Sequence, residues 1–125
     1  MASKTNPVGW FEIPTKDLGR AKDFYQRVFG LELELAEMGP LKMAWFPMSS
    51  DAPGAAGALV LGPDYVPSRQ GTLVYIHADD IDATLARVRA EGGKVLTPRT
   101  SIGQYGWIGV FEDTEGNRVA LHSGP

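Results

Sequence analysis

The chain has no cysteine. That excludes disulfides, thiolate-bound metals and cysteine nucleophiles, and it fits a reducing compartment. It has no run of Lys or Arg, and its formal net charge is −3. No stretch tracks a phosphate backbone, so no nucleic-acid partner is expected. No apolar run approaches a membrane span, and the opening MASKTNP lacks the apolar core of a secretion signal. A soluble, cytoplasmic protein is therefore expected, with no membrane partner. There is no P-loop, no G-x-G-x-x-G after a strand and no G-x-S-x-G elbow. The only histidines are His77 and His122, without the H-x-x-x-H spacing that sets two ligands on one helix face.

What is present is globular in character. The 125 residues are 43% hydrophobic and 22% charged, enough for one domain. The 15 glycines and 9 prolines are spread along the chain, which implies many short elements joined by turns. VGWFEI (8–13) reads as a strand. Asp17 is a helix cap, and Leu18, Ala21, Phe24, Tyr25 and Val28 follow on one helical face, with Gly30 as the stop. LELELAE (31–37), KMAWFPM (42–48) and GALVL (57–61) read as further strands.

The same order then repeats. LVYIHA (73–78) is a strand, Asp80 a cap, and Ile81, Leu85 and Val88 a helix face closed by Gly92 and Gly93. KVLTP, GWIGVFED and NRVALH follow as strands, with DTEGN (113–117) as a hairpin turn that uses a positive φ at Gly116. At an offset of 63 residues Asp17 falls on Asp80, Ile13 on Ile76 and Gly30 on Gly93. At an offset of 62, Trp45 falls on Trp107, Ala58 on Ala120 and Leu59 on Leu121. Each half is βαβββ, and neither buries its sheet alone. The fold class expected is α+β: two tandem βαβββ modules forming a curved mixed sheet around a cleft. One domain would cover 1–125, with module one about 6–62, a linker about 62–71 and module two about 72–124.

With D-L-x-x-A-x-x-F-Y-x-x-x-F-G (Asp17 to Gly30) and F-x-D-x-E-G-N-R (Phe111 to Arg118), this pattern resembles the vicinal oxygen chelate superfamily. That superfamily includes glyoxalases, ring-cleaving dioxygenases and bleomycin-resistance proteins. The resemblance covers essentially the whole chain, and it specifies fold rather than activity. In metal-dependent members it implies ligands from the first and fourth strands of each module. Those positions hold Trp10, Ala58, Leu73 and Ala120 here, none with atoms suited to a divalent metal. The resemblance is thus to a member without the usual metal site, and no cofactor is expected.

Two residues further along lie Glu12, Val60, Tyr75 and His122, on the same strand faces by parity. Glu12, His122 and Tyr75 are the candidate catalytic set. A carboxylate desolvated in an apolar cleft suits a general base, and histidine moves protons near neutral pH. The bland alternative is a solvated Glu12, a pocket-wall Tyr75 and a His122 at a fraying terminus. Trp10, Trp45, Tyr105 and Trp107 are the candidate ligand-binding aromatics, packing being their ordinary role. TSIGQYGWIG (100–109) reads as a loop over the cleft or a plain turn, and Arg20, Arg27, Arg87 and Arg89 as a solvated helix surface. Three functions compete: metal-free binding of a small organic molecule, metal-independent proton transfer through Glu12 with His122 or Tyr75, and a metal-dependent glyoxalase-like lyase or dioxygenase. The resemblance also implies a homodimer.

Overall fold

A computed structural model describes residues 6–125. Residues 1–5, the start of the segment read as signal-free and of the expected domain, lie outside the described residues. The elements run β1 (Phe11–Pro14), α1 (Leu18–Phe29), β2 (Glu34–Met38), β3 (Leu41–Trp45), β4 (Gly57–Leu61), β5 (Tyr75–His77), α2 (Ile81–Ala90), β6 (Lys94–Ser101), a 3-10 turn (Gly103–Tyr105), β7 (Trp107–Glu112) and β8 (Arg118–Ser123). They form two four-stranded mixed sheets, ordered β1-β4-β3-β2 and β5-β8-β7-β6, with no closed barrel among the described residues. Each sheet contains one parallel pair, β1 with β4 and β5 with β8, because the helix crossover carries the chain back to the same end.

Local chemistry explains the helices. Asp17 and Asp80 are extended caps whose carboxylates accept from Arg20 N and Ala83 N, each at 3.0 Å. Gly30 closes α1 in the left-handed conformation at φ 65°. Both helices bury their apolar faces in one core that includes Phe24, Tyr25, Leu85 and Val88. The helix-facing strand positions form two matching rows, Ile13–Leu59–Ala44 and Ile76–Leu121–Gly109. At Gly109 a Cβ would stand 3.0 Å from Ile81 and 3.2 Å from Leu85, so the glycine lets α2 approach without displacing those side chains.

Several strands differ from the sequence reading. The first strand begins at Phe11 rather than Val8, and the fifth has only Tyr75–His77 instead of 73–78. The LELELAE strand is shorter, Glu34–Met38, and its Leu35 is 63% exposed because β2 is an edge strand. Half of the 100–109 segment is strand, and residues 102–106 bridge β6 to β7.

The Asp113–Asn117 turn does more than reverse the chain. It fastens module two to the start of α1. Glu115, with no side-chain exposure, accepts from Lys16 N and Asp17 N at 2.8 Å and from Arg20 Nε at 2.7 Å. Asp113 accepts from Tyr25 Oη at 2.7 Å and from Asn117 N at 2.9 Å. Asn117 Nδ2 donates to Pro14 O at 2.8 Å. Arg20 thus has a buried partner, and Arg87 Nε donates to Val28 O at 2.7 Å between the helices, so neither is the free surface cation expected.

Candidate functional site

Strand register fixes which side chains share the face opposite the helices. In module one, Glu12 stands beside Ala58, and Ala58 beside Trp45. In module two, Tyr75 stands beside Ala120, and Ala120 beside Val110; His77 stands beside His122, and His122 beside Ile108. Glu12, Tyr75 and His122 therefore occupy the cleft face, as alternation along each strand requires.

Two cavities divide that set. One, of about 630 Å³, is lined by Val8, Trp10, Phe11, Glu12, Ala55 and residues 72–75, ending at Tyr75. The other, of about 430 Å³, is lined by Tyr75, His77, Ile102, Ile108 and His122. Tyr75, 51% exposed, forms the wall common to both. Glu12 and Tyr75 share the lining of the first cavity, and Tyr75 and His122 that of the second.

Glu12 is exposed rather than desolvated. Its oxygens are already engaged: Tyr65 Oη donates to Oε1 at 2.8 Å and Trp10 Nε1 to Oε2 at 3.3 Å. The hydrogen bond to Glu12 raises the Tyr65 phenol above its ordinary value of 10.0. His122 Nε2 lies 2.8 Å from the Tyr105 carbonyl. A carbonyl only accepts, so Nε2 is the donor there, and in the neutral tautomer that makes this bond Nδ1 is the acceptor. His77 Nε2 contacts Asp79 Oδ1 at 2.9 Å.

The four aromatics separate. Trp10 lines the larger cavity. Trp45 lies on the cleft face, packed with Tyr65 and Leu41 against Met43, Ala58 and Val60, its buried indole N–H without an acceptor among the described residues. Tyr105 is 66% exposed and meets His122 through its backbone carbonyl. Trp107 is on the other face. It pairs with Ser123, packs against the helix-side core and has the Arg99 guanidinium 4.6 Å over its ring. The equivalence of Trp45 with Trp107 fails. Trp45 pairs with Ala58, whereas the partner of Ala120 is Val110. The true offset on that strand is 65, an odd distance from 62, and odd slips invert the face.

Tyr65 was missed. It sits in the segment read as a bare linker, yet it reaches both Glu12 and the Met43–Ala58–Val60 cluster. An aromatic between two prolines was the available signal. The mutual ring contacts of Phe24, Tyr25, Phe29, Phe46 and Phe111 belong to the core.

A metal of the superfamily type does not fit these residues. Ala58 and Ala120 carry no donor, and both Glu12 oxygens have partners. Among the described residues no group of three His, Asp or Glu side chains is placed to hold a metal ion.

Comparisons with known proteins agree with this architecture. The Glyoxalase/Bleomycin resistance protein/Dioxygenase superfamily matches residues 8–121. A glyoxylase-like domain-containing protein of Didymella fabae is 33% identical, over 94% of each chain. A putative glyoxylase of Mycobacterium bovis is 31% identical over 90% of this chain, which spans 43% of that relative. Among solved structures, an antibiotic-binding protein from Streptomyces sp. CB03234 is 27% identical with a TM-score of 0.67, covering 99% of this chain and 100% of that one. A glyoxylase/bleomycin resistance protein/dioxygenase domain from Frankia sp. EAN1pec has a TM-score of 0.74 at 15% identity, covering 98% of this chain and 100% of that one, which speaks to fold alone. With the family matched over nearly its full length, the chain belongs to the glyoxalase/bleomycin resistance protein/dioxygenase superfamily.

Proposed function

We propose that the protein binds a small organic molecule with a flat apolar body in the cleft between its modules, without a metal of its own. The observation that carries this reading is the cavity of about 630 Å³ walled by Trp10, Phe11, Leu73, Val74 and Tyr75, with Glu12 as its acid. That volume lies within the range of small-molecule pockets, which are mainly apolar with few polar groups. Trp10 and Tyr75 are 40% and 51% exposed, large areas for rings to leave in water unless they receive a ligand. The similarity to an antibiotic-binding protein over the full chain supports binding as the primary role.

The test is a fluorescence titration with a planar aromatic probe such as 2-naphthylmethanol. The expected result is saturable quenching of tryptophan emission, with affinity about tenfold lower in Trp10→Ala, since stacking and burial of such a ring is worth about 1.5 kcal/mol. Affinity unchanged in Trp10→Ala counts against the cleft.

Proton transfer is the second reading, favoured by Tyr75 lining one cavity with Glu12 and another with His122. Its requirement is a free base, which His122 Nδ1 supplies better than the doubly bonded Glu12. A homodimer belongs to the same proposal. The edge strand β2 has one open side and carries Leu35 and Met38, 63% and 58% exposed.

A further inference from the structure

Arg118 opens β8 on the cleft face, two residues before Ala120 and four before His122. Its Nε is buried and has no acceptor among the described residues. Its register partner Glu112 is 3.2 Å from Arg69 Nε, and no ion pair to Arg118 is formed among the described residues. A buried guanidinium N–H without an acceptor is costly, because the charge has lost water and gained nothing. Arg118 also lines a separate cavity of about 200 Å³ at the junction of the modules, beneath the segment that carries Ser68 and Gln70. Ser68 Oγ accepts from Gln70 N at 2.9 Å, which leaves its hydroxyl hydrogen free to donate. Thr72 adds a second hydroxyl to the wall. Glu12, Thr72 and Val74 line both this cavity and the 630 Å³ one, so the two adjoin.

From these features we infer that the Arg118 pocket is an anion subsite, and that the ligand of the cleft is an amphipathic organic acid. Its carboxylate lies on Arg118 with the Ser68 and Thr72 hydroxyls, and its flat apolar body lies against Trp10 and Tyr75. Guanidinium and carboxylate match in planar, two-point geometry, and such charge-assisted bonds are about twice as strong as neutral ones. Glu12 is the one carboxylate in the lining, and it is held by Tyr65 and Trp10. It therefore stands at the boundary, where it accepts from a donor on the ligand's body and repels an acid group that enters the wrong way round.

This inference rests on the cleft reading, and two probes keep their failures apart. Binding of 2-naphthoate is compared with that of its neutral counterpart 2-naphthylmethanol, and the Nε–Hε signal of Arg118 is followed by NMR during titration with 2-naphthoate and, separately, with acetate. The expected result is that 2-naphthoate binds at least tenfold tighter than the alcohol. Arg118→Met removes that preference, Arg118→Lys keeps part of it, and both acids shift the Arg118 signal saturably. Equal affinity for acid and alcohol in the native protein, or an unmoved Arg118 signal at saturating 2-naphthoate, overturns the anion subsite and leaves the cleft standing. If acetate shifts the signal but 2-naphthoate binds no tighter than acetate, the anion site stands and the claim of an apolar body fails. The signal belongs to the native protein, so the outcome does not depend on the folding of either variant.

Discussion

Trp10 and Trp107 are the same residue type in neighbouring contexts, yet the structure gives them different work. Trp10 stands just before β1 beside the cavity, its N–H on Glu12. Trp107 packs on the helix side under Arg99. Substitution of Trp107 is therefore expected to affect stability and not binding. Trp107→Ala should cost about 2–3 kcal/mol in urea unfolding, from lost packing and the cation–π contact, while probe affinity is unchanged. A drop in affinity without loss of stability would place Trp107 in the cleft after all. Parity from the strand positions was legible for Glu12, Tyr75 and His122, since each lies on a short uninterrupted strand. It was not legible for Trp107. Matching Trp45 to Trp107 by identity hid the extra residues of the 46–56 loop, and the β6–β7 ladder is itself irregular at Thr97.

At the level of elements, the turn between β7 and β8 and the glycine in β7 set how the helices meet the sheets. Gly109→Ala introduces a methyl against Ile81 and Leu85. The expected cost is about 1–3 kcal/mol with the fold retained, measurable as a lower denaturant midpoint at unchanged slope. Glu115 is the stronger case. Burial pushes its carboxyl up, but the Arg20 guanidinium and the amides of Asp17 and Lys16 outweigh burial and hold it below its ordinary value of 4.5. A lowered folded pKa stabilises the fold at pH above the unfolded value, and that contribution is lost as pH falls below about 4.5 through the folded pKa. Burial raises Asp113, so its contribution has the opposite sense, present at low pH and lost as pH rises through its raised folded value. Glu115→Gln should cost of order 2 kcal/mol at neutral pH, moderated by the half-exposed Arg20, and should flatten the acid side of the stability profile. An unchanged acid limb would remove Glu115 from that account. The caps at Asp17 and Asp80 and the stop at Gly30 were readable in advance because their chemistry is local. The clamp was not, because Glu115 and Asp17 are 98 residues apart in sequence.

For the whole molecule, the two sheets have edge strands β1, β2, β5 and β6, and both helices pack on one shared core. Among the described residues no helix is long and apolar enough to cross a membrane. The exposed Leu35 and Met38 on edge strand β2 give the proposed homodimer a place to form. Native mass spectrometry should show a dimer, and Leu35→Glu with Met38→Lys should shift it to monomer. A native protein that is monomeric at micromolar concentration would leave those side chains as ordinary surface.

The sequence by itself determined the order of elements, the repeat, the helix ends and the family, because hydrophobic period and capping act within a few residues. It also showed that the four expected ligand positions hold Trp10, Ala58, Leu73 and Ala120. Only the tertiary structure decided that Tyr65 closes on Glu12, that Trp107 turns away and that the buried Arg118 Nε has no acceptor among the described residues, beside a cavity. Those outcomes depend on register and on packing between modules. A slip of one residue inverts a strand face, and contacts made across the whole chain leave no local mark.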